Sequence, residues 1–331
     1  MASLSTATTN FNKLVNVLIR TDLESLLRTP PPFLQPENYI RANLLKGSNG
    51  TLRFLAIPDF AVTTGTPSAG TPPWLTEGVA PTPDDATISY EEMTAHQAGI
   101  GKKITDLADM ESPVDLVSQI SNRLARQMVM TADKYLADIV AAGTNRIYSG
   151  SSNTSIAQVD QGDIITAANV RAAVALLRAN GVPPFSDGYY HGIIHPYVAA
   201  DLMNETDSGA TFSGGWIDAK RYADPQALLA GEIGSYAGVR FMSNNNTPKS
   251  AFGTSGEDVY CTSIFGPEAF AFGDFGTAQV YYTAPGGQTD FLHQNTIVGW
   301  KAMFAARLLE AVGSRYVNIE SASTAAPATG S

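Results

Sequence analysis

Residues 112–143, SPVDLVSQISNRLARQMVMTADKYLADIVAAG, constrain the fold of this chain more than any other stretch. No glycine or proline interrupts positions 114–142. Val117, Ile120, Leu124, Met128, Ala132, Tyr135, Leu136 and Ile139 recur at three- and four-residue steps, which gathers them into one apolar stripe on an α-helix. Both ends carry stop signals. Ser112 is placed as the N-cap, Pro113 stands in the first turn, Asp115 completes a Ser-x-x-acid capping box, and Gly143 takes the C′ position. About 30 residues at about 1.5 Å each predict a rod of roughly 45 Å, against a usual helix of about 11 to 12 residues. Such a rod organises a flat or extended molecule rather than a compact ball.

What precedes the helix has little of its own to pack against. Residues 1–9 are small and polar and are expected to be mobile. Phe11, Leu14, Val15, Leu18, Leu26 and Leu27 then follow helical spacing until the run TPPPFLQP stops it. An apolar arm that ends in three prolines is expected to lie on a neighbouring surface. Residues 47–105 alternate apolar and polar residues on both sides of GTPSAGTPPWLTEGVAPTPDD, which reads as a long β-hairpin with an elaborate tip. Trp74 and Leu75, with Glu77 beside them, are candidates for contact with a partner. The plainer alternative folds the tip back on its own hairpin.

After the helix the chain mixes both element types. A helix is predicted over 166–179, a short buried strand at YYHGIIHP, a helix opened by Pro196, and a short helix capped by Asp224 and Pro225. VRFMS, DVYCTSIF, EAFAFGDF and AQVYYTA are strand candidates. The stretch NTIVGWKAMFAARLLEAVGSRYVNIESA has strand signals at both ends and a centre that propensity alone assigns equally to helix. STAAPATGS reads as a disordered tail.

Catalytic and cofactor signatures are missing. The glycines of LLAGEIGSYAGVRF, Gly231, Gly234 and Gly238, follow a predicted helix and precede a strand, whereas a phosphate cradle needs a strand before the glycines and a helix after them. They are read as a helix cap and a tight turn. His191 and His195 lack the glutamate and further ligands of a zinc site and are read as hydrogen-bonded residues at the ends of a strand. His96 and His293 are isolated. The pairs Asp84-Asp85 and Glu91-Glu92 are adjacent, so an extended chain sends their members to opposite faces. Cys261, the only cysteine among 331 residues, excludes an internal disulfide and reads as a buried, inert thiol. No catalytic residue, cofactor or metal site is assigned.

Composition points instead to association. Charged residues form 16% of the chain, below the roughly 25% typical of globular proteins, so much of the surface is expected to be covered by copies of itself. A formal net charge of −10 repels nucleic acid. No apolar run is long enough to span a membrane, and no cleavage site marks a secretory leader. Folding in the cytoplasm is the resulting expectation.

The order of arm, long hairpin, capped long helix and strand-rich α/β region resembles the major capsid proteins of tailed bacteriophages with the HK97-like fold. Four blocks sharpen the likeness towards the N4-like major capsid family: TADKYLADIVAAG, DGYYHGIIHPYVAADL, LLAGEIGSYAGVRF, and GQTDFLHQNTIVGWKAMFAARLL followed by YVNIES. The resemblance implies an α+β chain divided into an N-terminal arm (1–46), an E-loop hairpin (47–105), a P-domain with the spine helix (106–160), an A-domain (161–274), C-terminal strands returning to the P-domain (275–321) and a disordered tail (322–331). It also implies a virion subunit, assembled in the bacterial host cytoplasm as pentamers and hexamers of an icosahedral head. Such a head encloses double-stranded DNA without sequence-specific binding, and separate scaffolding, portal and decoration proteins would be its further partners. Arm residues Phe11, Leu14 and Leu18 and hairpin residues Trp74, Leu75 and Glu77 would then meet neighbouring subunits. Some relatives crosslink through lysine, but nothing marks Lys46, Lys102 or Lys103 as reactive, and no covalent crosslink is expected. Two alternatives are an encapsulin-like compartment shell and an enzyme using His191 or His195.

Overall fold

The computed structural model describes residues 31–42, 50–56, 77–78, 80, 88–112, 115–207, 217–218, 229, 231–274, 279–284, 292–309 and 314–326. Strand β14, Asn295–Leu308, is the axis of a five-stranded sheet. Along one side runs antiparallel β4, His96–Thr105. The other side is shared in tandem by β12, Phe270–Asp274, opposite residues 304–308, and β13, Gln279–Thr283, opposite residues 297–301. Strand β1, Ile40–Ala42, adds on parallel to β12.

The ambiguous centre of the last apolar stretch is therefore one unbroken strand. Val298, Trp300, Ala302, Phe304, Ala306 and Leu308 are buried, while Ile297, Lys301 and Arg307 are exposed. That period of two overrides the helix propensity of its alanines, leucine and methionine, because only a strand puts all six on one face. Against that face lies the long helix α2, Leu116–Ala141, whose Leu124, Ala125, Met128, Leu136, Ala137 and Val140 join the same core.

Helix α2 has 26 residues, about 39 Å, and begins later than its sequence signals imply. A separate short helix α1, Asp106–Glu111, comes first and ends at Ser112, which is its C-cap. The N-cap of α2 is Asp115, whose Oδ1 accepts from Ser118 N at 3.1 Å. An Asp cap does the work assigned to Ser112, since either side chain satisfies an orphan N–H of the first turn. Pro113 lies outside the described residues.

At the other end Ala142, in right-handed conformation, is the C-cap, and Gly143 is not among the glycines with positive φ. Steric room explains Gly143 instead. A Cβ there would clash with Cε2, Cζ and the hydroxyl oxygen of Tyr316, which is fully buried and whose hydroxyl accepts from Thr144 N at 2.8 Å. Gly143→Ala is expected to destabilise the subunit by about 3 kcal/mol, the upper part of the overpacking range. Chemical denaturation checks this, and a loss below about 0.5 kcal/mol would show that Tyr316 yields freely.

A second sheet runs in the order β5 (Arg146–Tyr148), β15 (Tyr316–Ser321), β11 (Val259–Phe265), β6 (Tyr190–Ile194), β9 (Val239–Ser243), β8 (Glu232–Tyr236), β7 (Ile217–Asp218). β10, Lys249–Ser250, pairs with β11. One face is covered by α3, Ala167–Ala179, and α4, Pro196–Asp207: Val170, Val174, Leu177, Val198 and Leu202 share a core with Ile194, Phe241, Ile264 and Ile319. Neighbouring positions Ile193, Met242 and Phe265 point the other way, into the core that contains α2. Both faces are covered, so β6, β11 and β15 are buried at every position, polar residues such as His191, Ser263, Asn318 and Glu320 included.

Between β8 and β9, Ala237 (φ 51) and Gly238 (φ 85) form the two-residue turn of a hairpin whose last pair is Tyr236 with Val239. Gly234 adjoins a register shift within β8, and Gly231 has φ 81. Gly238 thus sits in the tight turn, whereas Gly234 lies inside β8. The helix expected from Asp224 and Pro225 lies outside the described residues. The tail is held over its first part: the Asp201 carboxylate accepts from Ser323 Oγ, Thr324 N and Thr324 Oγ1 at 2.5, 3.1 and 2.7 Å.

Candidate assembly surfaces

Strands β2, Thr51–Ala56, and β3, Ser89–Thr94, pair antiparallel as the root of the predicted hairpin and form a sheet of their own. The hairpin is thus shorter than the 47–105 span, because His96–Thr105 belongs to the five-stranded sheet. A single residue, Ala95, whose N–H bonds Gly50 O at 2.8 Å, separates β3 from β4. Side-chain alternation gives the root two unlike faces. Leu52, Phe54 and Met93 face the five-stranded sheet and pack with Ala42, Ala271 and Ala305. On that side Arg307 Nε and Nη2 both donate to Glu91 Oε2, at 3.0 and 2.8 Å.

The opposite face is open. Leu55 and Tyr90 are directly paired across the strands and are 68% and 57% exposed, and Ile88 beyond them is 61% exposed. Arg53 lies 4.7 Å from the centre of the Tyr90 ring and 3.6 Å from Glu92. Glu91 and Glu92 thus part to opposite faces, as their adjacency implies. An apolar ribbon whose exposure is this large has the character of a contact surface. Sequence reading placed the contact residues at the tip and missed this ribbon, although its signal was available. Phe54 and Leu55 are consecutive apolar residues, so the strand must be apolar on both faces.

A second exposed apolar surface is on α1, none of whose residues is buried and whose Leu107 and Met110 are 62% and 79% exposed. Of the residues named from sequence, Phe11, Leu14, Leu18, Trp74 and Leu75 lie outside the described residues. Glu77 stands in an exposed turn next to Gly78 (φ 80).

The arm, set at 1–46 from sequence, is corrected at its inner end. Phe33 is fully buried in the α2 core with its ring centre 6.4 Å from that of Phe270. Its N–H donates to the buried Asp133 carboxylate at 3.1 Å. Burial raises the pKa of Asp133, against the lowering effect of bonds from Asn244, Asn246, Phe33 and Leu34. Asn38 is buried too, and its Oδ1 lies 2.7 Å from His191 Nδ1. Residues 31–42 are therefore part of the folded body, with partners within this chain.

The two histidines have separate local roles. His191 stacks on Phe185 at 3.9 Å and faces Asp187 at 3.4 Å through Nε2. Burial is the largest influence on it and lowers its pKa. His195 accepts from Tyr197 N at 3.3 Å and lies 4.6 Å from the Tyr260 ring. No group of three or more His, Cys, Asp or Glu side chains among the described residues is arranged to hold a metal ion. Burial pushes the Cys261 thiol well up in pKa, which keeps it protonated and unreactive. No described helix is long and apolar enough to cross a membrane.

This architecture, a long helix on a five-stranded sheet with a hairpin root packed on its outer face and a second α/β layer, is the HK97-like capsid fold. It is similar to the capsid of Ralstonia phage GP4, with a TM-score of 0.66 at 13% identity over 88% of each chain. The capsid asymmetric unit of cyanophage Pam1 gives 0.64 at 14% identity, covering 90% of this chain and 93% of that one. The capsid of cyanophage P-SCSP1u gives 0.57 at 18% identity over 86% and 87%. No curated protein matches the chain. A family model described as phage capsid protein matches residues 89–314. The chain belongs to that family of structural proteins, and its function is that of a major capsid protein of a tailed-phage head.

Proposed function

We propose that the subunit builds an icosahedral head as pentamers and hexamers of itself, by assembly and without catalysis. The observation that carries this reading is the open ribbon of Leu55, Ile88 and Tyr90 on a hairpin whose other face is already packed against its own sheet. A two-sided apolar hairpin has one face left for another copy. Residues 1–30 supply a second reach, through Phe11, Leu14 and Leu18, and Trp74, Leu75 and Glu77 extend the hairpin's contact. The five-stranded sheet with α2 corresponds to a P-domain and the second sheet with α3 and α4 to an A-domain. On the four sequence blocks given above, the subunit falls in the N4-like branch.

The finished shell encloses double-stranded DNA as part of the virion, and its net charge of −10 keeps the wall from trapping the packaged genome. Scaffolding, portal and decoration functions belong to separate proteins, and assembly takes place in the host cytoplasm. Native mass spectrometry of the purified chain tests the reading. Species at five and six times 35.1 kDa, with larger closed particles, are expected. A monomer at every concentration, with or without phage scaffolding protein, would overturn it.

A further inference from the structure

Helix α2 touches both sheets, and its two contacts differ in kind. The contact with the second sheet is polar and specific. Asn244 and Asn246, which follow β9, donate to Asp133 Oδ2 at 2.9 and 3.3 Å. Asn318 of β15 donates to Val140 O at 2.8 Å, and the Tyr316 hydroxyl accepts from Thr144 N at 2.8 Å. Arg146 of β5 donates to Gly143 O and Ala141 O at 2.8 and 2.5 Å, while its Nη1 pairs with the buried Glu320 at 3.0 Å. A shift of about 1 Å takes any of these out of hydrogen-bonding range. The helix that sits with the five-stranded sheet by domain order is thus fastened to the other layer.

The contact with β14 is apolar. Leu124, Met128 and Leu136 share a core with Val298, Trp300, Phe304 and Ala306. Among the described residues one hydrogen bond crosses it, between the Tyr135 hydroxyl and the Ala306 backbone. Trp300 Nε1 is buried in this core without a hydrogen-bond partner among the described residues. A gap of about 290 Å³ is lined by Ile139, Ala142 and Thr144 at the helix end and by Ala306, Arg307 and Leu308 of β14. Apolar contact has no preferred direction, so such a face can slip where a hydrogen-bonded one cannot.

The connections fit the same division. Between β4 and α2, helix α1 has no buried residue, which leaves the chain slack there. Between β11 and β12, residues 266–269 form the turn that joins the sheets, with Glu268 in the left-handed region at φ 60. Ties gather around that turn. Gly266 N donates to Arg315 O and Leu309 N to Ala269 O, both at 2.9 Å, and the Phe265 and Phe270 ring centres are 5.1 Å apart. Phe33, bonded to Asp133, packs on the same Phe270. The five-stranded sheet is therefore anchored at the Leu308 end of β14 and rests on α2 by apolar contact towards Asn295.

We propose that α2 moves as one body with the second sheet, and that the five-stranded sheet swings on its apolar face about the turn at residues 266–269, which lets one sequence fit unlike positions in a shell. The last clause rests on the assembly reading; the joint itself does not. Spin labels on the full-length, unassembled subunit, read by pulsed electron spin resonance, test it. Gln127→Cys on α2 is paired with Ala175→Cys on α3 in one variant and with Lys301→Cys on β14 in another, all at exposed positions. Cys261 is buried and stays unlabelled. The distance distribution from α2 to β14 is expected to be at least twice as broad as that from α2 to α3. Ala306→Leu, which fills the gap, should at least halve the broader one while leaving the unfolding temperature equal or higher. If that variant does not fold, the two label pairs decide alone. Equal widths, a broader distribution from α2 to α3, or no narrowing in folded Ala306→Leu would each overturn the proposal. Failure of the subunit to form shells, with the widths as expected, would count against the assembly reading and leave the joint standing.

Discussion

Deleting residues 1–35 is expected to destabilise the subunit by more than about 3 kcal/mol, whereas deleting residues 1–29 leaves stability within about 0.5 kcal/mol and removes assembly alone. The cut sites differ by six residues, but those residues include Phe33. Losing its fully buried ring costs about 3–5 kcal/mol. The deletion also strips Asp133 of the Phe33 N–H bond, leaving a buried carboxylate short of a donor at a further cost of about 1–3 kcal/mol. Full-length Phe33→Ala should reproduce most of the loss and still assemble where it stays folded. Urea denaturation followed by sedimentation separates the two effects. Equal stability of the two deletions would show that residues 30–35 contribute no packing, and normal shells from the shorter deletion would remove the arm from assembly.

Arg240→Met should cost about 3–5 kcal/mol. The guanidinium is 7% exposed and joins two acids: Nε and Nη2 bond Glu232 Oε1 and Oε2 at 2.9 and 2.5 Å, and Nη1 bonds Asp187 Oδ2 at 2.8 Å. The Glu232 side chain is wholly buried, so removing Arg240 leaves its charge without its main cation. Asp187 is a quarter exposed and is partly relieved by water. Adding Glu232→Gln to Arg240→Met should therefore recover at least half of the loss, because no unpaired buried charge then remains. A double variant no more stable than the single one would place the cost in lost packing instead. The same substitution removes a cation that depresses His191. Because burial already holds the folded pKa of His191 below its usual value, stability from that group is present above about pH 6.5 and lost as pH falls below it. Arg240→Met should shift that loss to higher folded pKa and make it smaller, which NMR titration of the ring would read.

Local rules made some parts of this chain legible and left others hidden. The α2 stripe, the helix over 166–179 and the buried strand at YHGII follow from spacing and stop signals, and their positions come out nearly as read. The start of α2 and the role of Gly143 did not. Ser112 and Asp115 are equally good caps in sequence, and only the separate α1 decides between them. Gly143 is fixed by a tyrosine 173 positions later in the chain. Strand β14 was half legible, since its alternation was present but its alanines argued for helix, and α2 packing resolves the conflict. The arm boundary was misplaced because Phe33 follows three prolines, a loop signal, while its partners Asp133 and Phe270 are remote in sequence. The surfaces of the subunit were legible in kind, through low charge and stray apolar residues. The Phe54-Leu55 pair signalled one exposed apolar residue, but the pairing of Leu55 with Tyr90 depends on strand register, which no local pattern specifies.

The most direct measurement is a cryo-EM map of the particle formed by the full-length chain. The account predicts five- and six-fold clusters in which Leu55, Ile88 and Tyr90 of each hairpin are covered by a neighbouring copy. A closed shell in which that ribbon faces solvent in every subunit environment would contradict it.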